Sequence, residues 1–168
     1  RLVQEIDALG NSTFYSYTSD GLLASRTDRL GRVIRFDYND AGLLVGQTWL
    51  ADDGQTVVDT ITFSYTSDGR LLSASNGVGA YTFSWADGVL TGVTNPFGVT
   101  LTFSYDADGR RTAVADSFGG LITSTYTDGR LSSRTLSAGA LSLRVDLTYD
   151  SDGWLSQISR FSGPLQEL

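Results

Sequence analysis

The sequence predicts an all-β protein, folded as an antiparallel meander of about 14 short strands. Three observations lead to this fold class. The 168 residues include 19 glycines but only two prolines. The apolar runs between glycines are about five to seven residues long, which suits strands and is too short for helices. Finally, a unit of about 20 residues recurs seven times, with two turns in each copy.

The repeat is defined by an aromatic residue that is followed three or four positions later by glycine. Successive aromatic residues are 21, 27, 20, 20, 21 and 23 positions apart. The seven pairs are Tyr17 and Gly21, Tyr38 and Gly42, Tyr65 and Gly69, Trp85 and Gly88, Tyr105 and Gly109, Tyr126 and Gly129, and Tyr149 and Gly153. We therefore predict a single repeat region over residues 1–168, with units around 7–27, 28–48, 49–75, 76–94, 95–115, 116–135 and 136–160.

A second glycine divides each unit, and several of these glycines end an Asp/Asn-x-x-Gly group, as in "DRLG", "NPFG" and "DSFG". They are Gly10, Gly31, Gly54, Gly79, Gly98, Gly119 and Gly139. An Asp or Asn that opens such a turn accepts hydrogen bonds from backbone amides further along, and the glycine takes a positive φ. We assign this structural role to Asp106, Asp116 and Asp150 and to the turn glycines.

The segments between the turns alternate in polarity, as half-buried strands do. "VTLTFSY" (99–105) places Val99, Leu101, Phe103 and Tyr105 on one parity and polar residues on the other. The steps of 27 and 23 residues have extra length beside "ADDG" (51–54) and "SAGALSLR" (137–144). We expect longer hairpins there, with a protruding loop.

The composition excludes much enzyme chemistry. There is no Cys and no His, and all 12 cationic side chains are Arg. Disulfides, Cys-based zinc sites, His general bases and Lys nucleophiles are therefore excluded. We predict no enzymatic activity, no cofactor and no metal site.

The charge and hydropathy patterns limit the partners. The net charge is −7, whereas nucleic-acid binding needs a basic surface. No apolar run approaches the roughly 20 residues of a membrane span. We therefore predict neither nucleic-acid binding nor membrane insertion. One cluster, Arg26, Arg29, Arg32 and Arg35, is either a solvated face of two strands or a patch for an anionic partner.

The segments "DRLGRVIRFDYNDAGLL", "NPFGVTLTFSYDADGRR" and "DSFGGLITSTYTDGRLSSRT" resemble the RHS or YD-repeat family, whose unit reads D-x-x-G, six residues, Y-D-x-x-G-x-L-x-x-x-T. The resemblance extends from about Asp7 to Ser159. The sequence departs from the family pattern in three ways. The Asp after the aromatic residue is kept only at Asp106 and Asp150, Trp85 replaces one Tyr, and two units are one residue shorter.

The resemblance implies a coiled β-sheet that is a strip of a larger hollow shell. In bacterial members of the family the shell encloses a C-terminal toxin domain, and in teneurins a similar shell serves adhesion. We accordingly expect a non-catalytic scaffold, part of a longer bacterial protein that is secreted or on the cell surface. The expected partners are the remainder of the shell and an enclosed effector domain. Because the strip has unpaired edges, we also expect the isolated chain to form homo-oligomers through them.

Three alternatives concern residues that carry chemistry. The "DADG" and "DSDG" turns resemble the opening of calcium loops but lack the closing Glu. Asp106 with Asp116, or Asp52 with Asp53, offers a carboxylate pair as in glycosidases. Trp49 and Trp154 interrupt the repeat pattern and are candidate ligand contacts for a surface adhesion or carbohydrate-binding module.

Overall fold

The computed structural model describes residues 1–163 and the backbone of 166–167. Its strands are hydrogen-bonded to one another in sequence order, from β1 to β16, and each neighbouring pair with a defined register is antiparallel. No described residue is helical. The predicted all-β meander is thus confirmed. The two strands beyond the expected 14 are β1, which precedes the first repeat, and β16, which follows the last.

The chain divides into two compact units, Arg1–Thr82 and Phe83–Leu168, and the boundary lies inside β8. The first unit contains seven complete strands and the beginning of β8. These are β1 (Gln4–Ile6), β2 (Ser12–Tyr17), β3 (Leu23–Thr27), β4 (Val33–Tyr38), β5 (Leu44–Leu50), β6 (Val57–Tyr65), β7 (Leu71–Asn76) and β8 (Gly79–Ala86).

The second unit contains the end of β8 and eight further strands. These are β9 (Val89–Thr94), β10 (Thr100–Tyr105), β11 (Arg111–Asp116), β12 (Gly120–Thr127), β13 (Arg130–Ala138), β14 (Leu141–Tyr149), β15 (Leu155–Ser162) and β16 (Gln166–Glu167).

The strand register shifts at the same point of each Tyr-containing repeat. In the second unit the shift falls between Ser104 and Tyr105, between Thr125 and Tyr126, and between Thr148 and Tyr149. Equivalent shifts precede Tyr17, Tyr38 and Tyr65 in the first unit. A bulge places one extra residue on the partner strand and increases the local twist. Each repeat therefore contains a built-in bend next to its tyrosine.

In each unit the two faces of the sheet differ in chemistry. One face presents Ser and Thr hydroxyls that bond in pairs across neighbouring strands, with Oγ···Oγ distances of 2.7 Å for Ser16–Ser25 and 2.6 Å for Ser64–Ser73. The opposite face is apolar. In the second unit, Ile122, Leu136 and Leu143 are direct cross-strand partners on it. Alternation along each strand produces both faces, as the sequence predicts.

Little of either unit is fully buried. Leu50, with 4% of its surface exposed, is the one large apolar residue in the described chain that is buried. Leu136 and Leu143, in the middle of the apolar face, remain 36% and 38% exposed. Each unit is thus a single sheet layer, and no other described residue of the same unit covers its apolar face.

The two long repeats use their extra residues differently from one another. A six-residue connection (51–56) joins β5 to the nine-residue strand β6. In contrast, β13 and β14 are both nine residues long, and only Gly139 and Ala140 separate them. The longer hairpin expected over 137–144 is therefore present, but its extra residues lie in the strands and not in a protruding loop. The alternating sequence continues there, and paired strands satisfy more backbone groups than an open loop does.

Candidate functional site

The turn at Asp106 shows how the repeat carboxylates are used. Asp106 Oδ1 accepts hydrogen bonds from the amides of Asp108 (3.0 Å) and Arg110 (2.9 Å). Its other oxygen accepts the Arg110 Nε–H at 2.8 Å. The Gly109 amide donates to the Asp106 carbonyl, and Gly109 takes a φ of 76°. Both carboxylate oxygens thus have local donors within the turn itself.

These contacts alter the acidity of the carboxyl. Desolvation raises the pKa of Asp106, but the hydrogen bonds from Arg110 and from the Asp108 amide, together with the Arg110 charge, outweigh it and hold the pKa below its ordinary value. Asp28 has the same arrangement with Arg32, and its pKa is also lowered against opposing desolvation. The pKa of Asp7 is lowered chiefly by the side-chain amide of Asn11. These three carboxyls therefore stay ionised to a lower pH than an ordinary Asp.

The same turn recurs along the chain with other first residues. Asn39, Asn95, Asp116 and Asp150 each accept the amides two and four positions on. In the two "YTSDG" copies, Thr18 and Thr66 accept only the second of these amides, through Oγ1. Our sequence reasoning did not assign Thr18 and Thr66 this role. The signal is their position directly after the repeat tyrosine, where other repeats have Asp or Asn. A Ser or Thr hydroxyl can accept the same backbone hydrogen bonds, although more weakly.

The two shorter repeats close with a different turn. Asp87 and Gly88 have φ values of 46° and 85°, and Asp128 and Gly129 have 51° and 78°. Two successive residues with positive φ define the two-residue type I′ hairpin turn, for which Asp-Gly is a favoured sequence. The three-residue spacing therefore reflects a tighter hairpin of the same meander.

The repeat tyrosines connect neighbouring strands through their hydroxyl groups. Tyr105 donates to the Leu90 carbonyl at 2.8 Å, and Tyr126 donates to the Arg111 carbonyl at 2.9 Å. Tyr17, Tyr38, Tyr65 and Tyr149 do the same, with the carbonyls of Leu2, Leu23, Leu44 and Leu131. Apart from Leu2, each acceptor lies two residues after the turn glycine of the preceding repeat. The tyrosine therefore joins one repeat to the previous one.

Arginine side chains reinforce some of these junctions. Arg110, directly after Gly109, lies over the ring of Tyr126 with 5.0 Å from Cζ to the centroid. Arg130, directly after Gly129, lies over Tyr149 at 5.7 Å. A guanidinium over an aromatic face at this range is a cation–π contact. Trp154 holds the corresponding position after Gly153 and is 73% exposed.

A row of exposed apolar side chains, here called the apolar rim, lies at turns that end at the second glycine of a unit. In five of the seven turns that end at the second glycine of a unit, the residue before that glycine is a large apolar one with 63–86% of its surface exposed: Leu9, Leu30, Val78, Phe97 and Phe118. Because alternate turns of a meander lie at opposite strand ends, the rim residues within each unit lie along one side. The signal is visible in "DALG", "DRLG", "NGVG", "NPFG" and "DSFG", although our sequence reasoning did not use it.

The structure separates Asp106 from Asp116, one of the two carboxylate pairs considered from the sequence. Asp116 is the cross-strand partner of Leu101, and Asp106 lies five residues after Leu101, directly beyond the end of β10. This spacing places Asp106 about 16 Å from Asp116. Glycosidase carboxylates are separated by about 5 to 9.5 Å. Asp53 accepts the amides of Gln55 and Thr56 in its own turn. Among the described residues, no group of three or more carboxylates is placed to hold a metal ion.

Trp49 and the arginine cluster, which were separate features of the sequence, lie together in the first unit. A cavity of about 310 Å³ is lined by Trp49, Arg26, Arg32 and Asp28, with apolar neighbours. A second, open groove on the apolar face of the second unit is lined by Ile122, Leu136, Leu143 and Val145, among others. No helix in the part of the chain that the structure describes is long and apolar enough to cross a membrane.

Comparison with known proteins identifies the repeat. A sequence profile of the RHS repeat matches residues 17–48 and 85–122, which contain the Tyr17, Tyr38 and Tyr105 repeat motifs. The chain thus contains RHS repeats in these two segments. The match confirms the resemblance seen in the sequence. No curated protein matches the sequence.

Solved structures share the fold of this RHS-repeat chain. A crystal structure of TcdB2-TccC3-Cdc42 has a TM-score of 0.77 at 20% identity, over 94% of this chain and 9% of that one. A crystal structure of TcdB2-TccC3 has a TM-score of 0.77 at 21% identity, over 94% and 10%. A Tc holotoxin pore of Photorhabdus luminescens with a TccC3 mutation has a TM-score of 0.78 at 21% identity, over 94% and 9%. The RHS-repeat chain thus spans about a tenth of the length of these chains.

Proposed function

We propose that this chain is a wall segment of a hollow shell that encloses a C-terminal toxin or effector domain in a secreted or delivered bacterial protein. The observation that carries the proposal is the single-layer sheet, whose repeats are joined side by side by tyrosine hydroxyl contacts. In this proposal the chain has no catalytic activity of its own. The similarity to chains in TcdB2–TccC3 complexes over 94% of its length supports it.

The apolar rim supports the part of the proposal that concerns partners. Phe97 and Phe118 are 80% and 82% exposed, and exposed apolar side chains in a row mark interaction surfaces. The opposite turns carry polar residues at the same position, such as Asp68, Asp108 and Asp152. In a shell the rim contacts a neighbouring part of the wall, and the apolar face is covered by other parts of the assembly.

Protease protection tests enclosure directly. The full reading frame that contains this segment is expressed, and the purified protein is treated with a protease of broad specificity. We expect the downstream domain to resist cleavage in the intact protein. Phe97→Ser with Phe118→Ser weakens the rim contacts and should make that domain sensitive. The matched control is Asp152→Ser at the corresponding position of the other turn type, which should leave protection unchanged. A downstream domain that is cleaved equally fast in all three proteins contradicts enclosure.

The alternative function is that of a surface adhesion or carbohydrate-binding module, and the exposure of Trp49 (43%) favours it. The flanking sequence distinguishes the two functions. A toxin domain that follows the repeats supports enclosure, whereas a membrane anchor or wall-binding module supports adhesion.

A further inference from the structure

The turn between β7 and β8 places an asparagine directly before a glycine. Asn76 is the last residue of β7, and Gly77 and Val78 form the turn before Gly79 begins β8. Asn76, Gly77 and Val78 are all exposed. The side-chain carbonyl carbon of an asparagine can be attacked by the backbone nitrogen of the next residue. Glycine hinders this attack least, because it has no Cβ.

The other asparagines of the chain lack this neighbour. The residues that follow Asn11, Asn39, Asn76 and Asn95 are Ser, Asp, Gly and Pro, in that order. A proline nitrogen has no hydrogen to lose, so Asn95 cannot react in this way. Asn39 and Asn95 nevertheless accept the amide two positions on, at 3.1 Å and 2.9 Å, as Asn76 does. They are therefore internal controls with the same side-chain contact.

The turn holds the Asn76 side chain at both of its polar atoms. Oδ1 accepts the Val78 amide at 3.0 Å, and Nδ2 donates to Asp59 Oδ2 on β6 at 3.4 Å. When a nitrogen adds to the side-chain carbonyl carbon, negative charge develops on Oδ1. A donor that already points at this oxygen stabilises the transition state. The Val78 amide is such a donor.

The attacking nitrogen of Gly77 is also available. Its N–H has no hydrogen-bond partner among the described residues. In contrast, the glycine amide in the Asp-Gly sequence of the Asp106 turn is engaged, because Gly109 donates to the Asp106 carbonyl at 3.0 Å. An engaged amide must lose that bond before it can react. Gly77 can give its proton directly to solvent.

We propose that Asn76 deamidates spontaneously in the folded chain and that the products weaken the β7–β8 hairpin. The Gly77 nitrogen gives its proton to water and forms a bond to Asn76 Cγ. The Cγ–Nδ2 bond breaks, and Nδ2 takes a proton from water and leaves as ammonia. The product is a cyclic succinimide.

Water then opens the succinimide at one of its two carbonyl carbons. Hydrolysis of the bond between the nitrogen and Cγ gives aspartate with the original backbone. Hydrolysis of the bond between the nitrogen and the main-chain carbonyl carbon gives isoaspartate, in which the backbone runs through Cγ. The net reaction consumes one water and releases one ammonia, and no atom is oxidised or reduced.

Both products disturb the contacts of Asn76. A carboxylate at position 76 faces the Asp59 carboxylate, to which the amide now donates, and like charges at this range repel each other. Asp59 forms no ion pair within the described part of the chain that would offset this repulsion. Isoaspartate also lengthens the backbone by one carbon at Asn76–Gly79, the last pair of the β7–β8 ladder. This chemistry is independent of whether the chain encloses a cargo.

Mass spectrometry of the purified 168-residue chain measures the reaction. The chain is kept at pH 8 and 37 °C, and samples are digested with trypsin. Cleavage after Arg70 and Arg110 releases one peptide with both Asn76 and Asn95, so fragment ions assign each gain of one mass unit. Electron-transfer fragmentation distinguishes isoaspartate from aspartate. We expect Asn76 to react about tenfold faster than Asn39, and Asn95 to stay intact. The folded chain should react at least as fast as the chain unfolded in guanidinium chloride.

Matched variants separate the reaction from its consequence. Gly77→Ala adds a methyl group that meets no heavy atom within 4 Å, so it should slow the reaction about tenfold and leave the melting temperature nearly unchanged. Asn76→Asp is one of the products and should melt a few degrees lower than the fresh wild type. The double variant Asp59→Asn with Asn76→Asp exchanges the two groups and should recover most of that loss.

Any of three results overturns the proposal. The first is that Asn76 reacts no faster than Asn39 in the folded chain. The second is that the folded chain reacts more slowly than the unfolded chain, which shows that the turn protects Asn76. The third is that neither Asn76→Asp nor a fully reacted wild-type sample melts below the fresh wild type.

Discussion

At the scale of single residues, the acidic turns depend on local donors rather than on burial. Asp106 and Asp28 are each bonded to backbone amides and to the arginine four residues on. Elsewhere Asn95 accepts the same two amides without a charge, at 2.9 Å and 3.0 Å. The repeat therefore needs an acceptor at this position, and the charge adds an ion pair where an arginine follows.

Asp106→Asn tests what the charge contributes. The pKa of Asp106 lies below its ordinary value of 3.8. Its contribution to stability is thus fully present above pH 3.8 and is lost as the pH falls through the lower pKa of the folded protein. At pH 7 we expect the variant to melt a few degrees lower than the wild type, because Arg110 loses its partner. The difference between the two melting temperatures should become smaller as the pH is lowered from 4 to 2.

The control for this experiment is Asp152→Asn, because Asp152 contributes its backbone amide, not its side chain, to the Asp150 turn. Thermal unfolding followed by circular dichroism from pH 2 to pH 7 measures both variants. An Asp106→Asn difference that is the same at pH 2 and pH 7 contradicts a role for the ionised carboxylate.

Gly109→Ala tests the backbone of the same turn. A Cβ at this position meets no heavy atom within 4 Å, so any cost comes from the φ of 76°. We expect a loss of about 1–2 kcal/mol in the free energy of unfolding, the cost of a left-handed conformation for Ala. Gly77→Ala also meets nothing within 4 Å, but its φ lies outside the left-handed region, and it should change stability by less than about 0.5 kcal/mol. Urea unfolding measures both, and equal losses argue against the conformational explanation.

At the scale of the elements, the unit of construction is a bulged hairpin closed by a tyrosine. The register shift before Tyr105 coincides with the bond from its hydroxyl to the Leu90 carbonyl. The same combination occurs at Tyr126, with the Arg111 carbonyl as acceptor. Regular bulges bend the sheet at regular intervals, and the hydroxyl contact fixes each bend to the preceding turn.

Tyr105→Phe removes one of these contacts and keeps the ring. We expect a loss of about 0.5–1.5 kcal/mol in the free energy of unfolding, which is the net contribution of one hydrogen bond. The control is Tyr81→Phe, because Tyr81 is 48% exposed and its hydroxyl has no partner within the described part of the chain. Urea unfolding at 25 °C measures both variants. If they lose equal stability, the hydroxyl contact is not what stabilises the repeat.

At the scale of the whole molecule, the described chain leaves three kinds of surface open to association. The apolar face is partly exposed, the rim turns carry large apolar residues, and β1 is an unpaired edge with Ile6 62% exposed. A single sheet layer buries its apolar face only against another layer, and an open edge pairs readily with another strand. The isolated chain is therefore expected to associate with copies of itself.

Light scattering after gel filtration tests the predicted homo-oligomer and its route. We expect a mass of at least two chains at micromolar concentration. Ile6→Lys blocks the β1 edge and should lower that mass, because charged edges resist strand pairing. Phe118→Asp alters the rim and should not lower it. A monomeric wild type contradicts self-association, and a loss of association in Phe118→Asp alone contradicts the edge route.

The fold was predictable because its determinants are local. Alternation along "VTLTFSY", the Asp-x-x-Gly turns and the near-constant spacing each act over fewer than about ten residues. These signals determined the meander and its strand order without reference to distant residues. The sequence predicted a longer hairpin at β13 and β14, but not that its extra residues extend the strands, because alternating residues and a loop of small residues look alike until the partner strand is present.

The sequence alone determined that this chain is a repeating antiparallel sheet, because each repeat contains its own turn and strand signals. Only the tertiary structure decided which carbonyl each tyrosine reaches, which turn residues form the apolar rim and which side chains share a pocket. Arg26 and Trp49 are 23 positions apart in the sequence. They meet because the register of three strands aligns them, and register is a property of the paired sheet rather than of any one segment.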